Sequence, residues 1–131
     1  MRTWIGTLAI ATAFVVSSAA AQAGATHMWR CELTDKASEE DVGQMAEEWL
    51  AAARKMKGGA RLQANVYFPV AVNAIGNTDL IFVVHAPTFE EWGKFWDDYL
   101  DSPAGGIEHK YRDRVVCPNS ALWESMEVKV K

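Results

Sequence analysis

His85 is the side chain of this 131-residue sequence best placed for acid–base chemistry. It closes an almost wholly apolar run, DLIFVVH (79–85), which reads as a central strand covered on both faces. Glu32 lies in another strand-like run, HMWRCEL (27–33). With those two strands as parallel neighbours, the carboxylate would orient the imidazole and raise its pKa, giving a general acid/base or a proton-binding anchor. The plainer alternative is a capping or interface histidine bonded to backbone. Alternation with a period of two sets Arg30, Asn65, Tyr67 and Trp123 on the same sheet face, where they would shape a ligand pocket. His27 reads as the frayed start of its strand, and His109, inside EHKYRDR, as solvated. Three histidines on separate elements give no expectation of a metal. Serine nucleophile elbows, P-loops, dinucleotide glycine fingerprints and H-E-x-x-H are absent.

The compartment is read from the first 23 residues and the cysteines. Met1-Arg2 is a positive start, WIGTLAIATAFVV (4–16) an uncharged apolar core, and Ala21-Gln22-Ala23 an A-x-A cleavage site. The core is short beside the roughly 20 apolar residues of a spanning helix, and no basic stop-transfer flank follows. The expectation is a periplasmic or secreted protein starting near Gly24, with no membrane attachment after cleavage. In an exported chain the even pair Cys31 and Cys117 reads first as a disulfide. That bridge closes a loop of about 86 residues, worth roughly 3–5 kcal/mol in the chain-entropy model. A metal or redox pair ranks below it, because no C-x-x-C spacing occurs. The formal net charge of −4 becomes about −5 without Arg2. Such a chain lacks the basic face that nucleic acid requires and is poorly suited to anionic lipid. Residues 24–131 suit one domain.

These residues must be held by a small set of elements. Ser38-Glu39-Glu40-Asp41 is a capping-box start for a helix running to about Lys57 and stopping at Gly58-Gly59. RLQANVYFPVAV (61–72) alternates as a strand, with Pro69 marking an edge or a bend. Gly76-Asn77 is a turn into the third strand. Thr88 and Glu91 cap a second helix, whose rings Phe89, Trp92, Phe95, Trp96 and Tyr99, with Leu100, lie within an arc of about 140°. That arc reads as core rather than a cofactor box. Gly93 borders it, where another backbone could approach. Ser102-Pro103 and Gly105-Gly106 end this helix, and Ile107, Tyr111 and Val115 hint at a short helix in the connection. Cys117-Pro118-Asn119 is a turn before a last strand, ALWESMEVKV (121–130). The order βαββαβ predicts a ferredoxin-like α+β sandwich: a four-stranded antiparallel sheet, order 4-1-3-2, with both helices on one face.

Strand parity sends Trp29, Cys31, Leu33, Leu62, Ala64, Val66, Phe68, Leu80, Phe82, Val84, Met126 and Val128 toward the helices. Ile81, Val83 and His85 fall on the other face with Gln63, Ser125, Glu127 and Lys129. An apolar patch rimmed by polar groups suggests a partner, and a naked sheet face suits a second copy. The order of elements, the length and VVHAPTFEEWGKFWDDY resemble the dimeric α+β barrel superfamily, with its antibiotic-biosynthesis monooxygenase-like, NIPSNAP-like and EthD-like members. The resemblance spans residues 27 to 130 and is one of pattern, with no catalytic motif matched. It implies a homodimer with facing sheets and a cavity beside the sheet. Two functions follow as expectations: a binding or interaction module for a small apolar or aromatic ligand, without a cofactor, or a cofactor-independent oxygenase or isomerase-like enzyme using His85. Haem handling, a third, finds no axial ligand apart from His85.

Overall fold

The computed structural model describes residues 23–71, 78–128 and 130. The signal-like stretch over 1–22, the turn at Gly76-Asn77 and the sheet position of Lys129 lie outside the described residues. The elements are β1 (Gly24–Leu33), α1 (Glu39–Ala53), β2 (Gln63–Tyr67), β3 (Leu80–Ala86), α2 (Phe89–Asp97), α3 (Pro103–Tyr111) and β4 (Val115–Ser125). The strands form one antiparallel sheet in the order β2-β3-β1-β4, the expected order read from its other edge. The fold is therefore ferredoxin-like, with α3 added in the last connection.

Side-chain caps account for where the helices begin. Ser38 Oγ accepts the Asp41 N–H while the Asp41 carboxylate accepts the Ser38 N–H, and Thr88 Oγ1 accepts the Glu91 N–H. The helix α1 stops at Ala53, short of the expected Lys57. There Lys55 and Met56 bond to the carbonyls of Ala52 and Ala53, three residues back, which tightens the last turn. Gly58, at φ +79°, then turns the chain against α2; a Cβ on it would stand 2.3 Å from the Glu91 carbonyl oxygen. Gly58 thus makes the close approach that was expected across Gly93, around which a Cβ would meet open space.

Other boundaries differ from the sequence reading as well, β2 being confined to Gln63–Tyr67 of the expected 61–72. Ser102-Pro103 starts a helix as well as ending one: Ser102 Oγ accepts the Gly105 N–H at 3.1 Å, and Pro103 sits where a helix needs no N–H. Gly105-Gly106 consequently lies inside α3. Strand β4 begins at Val115 and ends at Ser125, so Cys117-Pro118-Asn119 is strand rather than turn. As an edge strand β4 tolerates a proline, and a register shift between Arg30 and Glu32 on β1 takes up the irregularity. The expected disulfide joins Cys31 to Cys117 beside that shift. Met126 and Val128 lie beyond the strand and are exposed, not turned to the core.

The core lies between the sheet and the helices. Cys31, Leu80, Phe82 and Val84 meet Val42, Trp49, Ala53, Trp92 and Phe95 there. The aromatic arc of α2 is only partly core: Trp92, Phe95 and Tyr99 are buried, Phe89 and Trp96 are about two-fifths exposed, and Leu100 is exposed. His27 is not frayed. Because β1 already begins at Gly24, His27 is paired between Val84 and Leu122 and is buried. Its ring stacks 3.7 Å from Trp29 and meets Trp92 edge-on, and its Nδ1 is buried without a hydrogen-bond partner among the described residues.

Candidate functional site

The sheet face away from the helices carries the residues that the sequence singled out, arranged in rows by the strand register. One row runs Gln63, His85, Thr26, Trp123; the next Asn65, Val83, Met28, Ala121; the third Tyr67, Ile81, Arg30, Asn119. Arg30, Asn65, Tyr67, His85 and Trp123 do share a face. Glu32 shares it too, but it does not meet His85. The strands β1 and β3 are antiparallel, so His85 stands opposite Thr26, while Glu32 lies beyond Arg30 at the far end of β1. At ~3.4 Å per residue that is roughly 20 Å. The partners of the imidazole are hydroxyls instead: Nδ1 is 3.1 Å from Thr26 Oγ1 and 3.4 Å from Ser125 Oγ. Tyr67 and Trp123 are more than half exposed at its two flanks, and Tyr67 and Ile81 help to line an apolar cleft of about 470 Å³ at the β2–β3 end.

A ring-lined cavity is on the other side of the sheet. A cavity of about 320 Å³ opens between α1, α3 and the sheet, walled by Trp29, Met45, Trp49, Phe82, Tyr99 and Val115. Glu108, Arg112, Val116 and Cys117 complete its lining. Trp49 stands edge-on to Phe82, with ring centroids 5.4 Å apart. The polar tips of the aromatic wall form a directed chain. Trp49 Nε1 donates to the Tyr99 hydroxyl oxygen at 2.9 Å, and that hydroxyl donates to Glu108 Oε2 at 2.6 Å. Burial, with the bond to Glu108 added, pushes the Tyr99 phenol well above its ordinary pKa, so it remains a donor.

Ion pairs hold the cavity's two helices together. Glu48 on α1 accepts from Lys110 Nζ at 2.7 Å and from the Tyr111 hydroxyl at 3.0 Å, both on α3. The Lys110 bond is the main reason that the Glu48 carboxyl lies below its usual range. Just past α3, Arg114 pairs with Asp41 at 2.7 Å. Larger clefts of about 680 and 620 Å³ lie at the α2–α3 turn, where Asp101 and Ser102 line both together with Tyr99 and Leu100. Their walls carry fewer aromatic rings than the four of the smaller cavity.

Sequence reasoning assigned Trp49 and Tyr99 to the core and passed over Glu108. One signal was available: a core-facing tryptophan and tyrosine each bring a polar tip that must find a partner. Period alone does not show that a third helix would supply it.

No protein-family model matches the chain, and no curated protein matches it. Among solved structures, that of At3g17210 from Arabidopsis thaliana superposes with a TM-score of 0.54 at 9% identity, covering 83% of this chain and 98% of the other. A dimeric ferredoxin-like protein of unknown function from Thermobifida fusca gives 0.47 at 13% identity, covering 79% and 91%. A chlorite dismutase from Candidatus Nitrospira defluvii gives 0.42 at 12% identity, and this chain spans 41% of its length. The likeness to the Arabidopsis protein is one of fold, and the two weaker ones add nothing to it. What is shown is the ferredoxin-like architecture itself.

Proposed function

We propose that this protein is an exported homodimeric binding module for a small apolar or aromatic ligand. The ligand occupies the helix-side cavity, and the open sheet face is the dimer seam. The observation that carries the reading is the cavity itself: its volume of about 320 Å³ falls at the lower end of ligand pockets, and four aromatic rings wall it. The seam is supported by the apolar middle of the open face, Met28, Ile81 and Val83, flanked by Tyr67 and Trp123. Arg30 and Glu32 add opposite charges to that face, and two-fold pairing would set each against the other's counterpart. Export is supported by the Cys31–Cys117 bridge, which persists in oxidising compartments. Among the described residues no helix is long and apolar enough to cross a membrane.

The second reading keeps His85 as an acid/base, now beside the Thr26 and Ser125 hydroxyls rather than Glu32. His85 lines none of the clefts described above, which is why binding is preferred. Native mass spectrometry of the protein from its own source decides between them. A retained small molecule, one per protomer and lost in a cavity-filling Met45→Trp variant, supports the binding module. Protein that carries no molecule and takes up no 3-methylindole overturns it.

A further inference from the structure

Resting on the reading of the cavity as a ligand site, we infer that its ligand is a protonated aromatic amine, held by the Glu108 carboxylate at the mouth with its ring against Trp49 and Trp29. The direction of the hydrogen bonds carries this. From Trp49 through Tyr99, each donor points toward Glu108, and the chain terminates on Oε2 of its carboxylate. The carboxylate is therefore oriented at one oxygen by a buried phenol. Its other oxygen has no hydrogen-bond or ion-pair partner among the described residues.

The one cation lining the cavity does not neutralise it. Arg112 sits one helical turn further on, and its guanidinium donates to His109 Nδ1 at 3.1 Å instead. An ammonium would complete the open carboxylate oxygen with a charge-assisted bond. The indoles of Trp29 and Trp49 in the wall favour the same charge, because their quadrupoles attract cations.

Three probes that share a ring separate the possibilities: tryptamine, neutral 3-methylindole and indole-3-propionate, titrated by calorimetry into the folded protein. The expected order places tryptamine roughly fivefold tighter than 3-methylindole, the discount from a buried pair reflecting the exposure of Glu108. Indole-3-propionate should bind weakest. Glu108→Gln, which keeps an acceptor for Tyr99, should abolish the preference and leave 3-methylindole unchanged. Equal binding of tryptamine and 3-methylindole would overturn the amine inference while leaving the cavity as a ligand site. Tightest binding of indole-3-propionate, lost in Arg112→Gln, would overturn it in favour of an anion. Failure of all three to bind would remove both this inference and the proposed function.

Discussion

Gly24 and His85 are in contact across two strands: a Cβ built on Gly24 would stand 2.5 Å from His85 Cε1. It would also stand 2.7 Å from Ser125 Oγ and 3.1 Å from the Ala86 carbonyl oxygen. The imidazole thus lies over the first residue of β1, and only a residue without a side chain fits beneath it. Gly24→Ala should cost about 1–2 kcal/mol by overpacking, read as a lower urea midpoint. Gly93→Ala, on a helix with open space around the position, should instead gain about 0.5–1 kcal/mol. Equal midpoints for the two variants would contradict this packing.

The Cys31–Cys117 bridge ties the second edge strand to the sheet's centre and reaches the cavity wall through Cys117. Mass spectrometry should find the unreduced chain lighter than the reduced one by two hydrogens. Reduction should lower stability by roughly 3–5 kcal/mol in denaturant unfolding, as loop closure across this long separation predicts. It should also weaken ligand binding, since Cys117 lines the cavity and β4 then loses its covalent tie to β1. Two free thiols in the protein from its own source would contradict the bridge.

His27 makes stability depend on pH. Burial lowers its pKa below the ordinary 6.5, so the fold favours the neutral ring. Below pH 6.5 the unfolded chain binds the proton more readily than the folded one. Stability is therefore complete above 6.5 and declines as pH falls from 6.5 toward the lowered folded-state pKa. Urea midpoints measured across that window should show the decline, and His27→Phe, which keeps an aromatic ring against Trp29, should flatten it. An unchanged decline in His27→Phe would assign it to other groups.

Much of this frame was legible from local patterns, because each rests on chemistry confined to a few residues. Ser38 with Asp41 and Thr88 with Glu91 announce the helix starts, and alternation along Leu80, Phe82 and Val84 announces the buried face of β3. The errors lie where non-local geometry decides. Pairing His85 with Glu32 took neighbouring strands as parallel, and reversing one strand sends the two residues to opposite ends. Pro118 reads as a turn until the strand is known to be an edge, and Ser102-Pro103 reads as a stop until it is seen to cap the next helix. The cavity was illegible for the same reason: Trp49, Tyr99 and Glu108 come from separate segments, and only their packing converts two core aromatics into a wall.

The seam predicts how the protein associates. Met28 lies at the centre of the open face and is partly exposed in the protomer, so a charge there is tolerated by the fold and not by a facing sheet. Light scattering over a dilution series should give a dimer for the natural chain and a monomer for Met28→Glu. The variant should keep its affinity for 3-methylindole, because the cavity opens on the other face of the sheet. A natural chain that is monomeric throughout would remove the seam.

The cavity is tested most directly by the indole N–H resonances of nitrogen-15-labelled protein during titration with 3-methylindole. Trp29 and Trp49 wall the cavity, whereas Trp123 stands on the open face. The account predicts saturable shifts at Trp29 and Trp49 with Trp123 unmoved. Shifts confined to Trp123, or none at any indole up to the solubility limit of the probe, would contradict it.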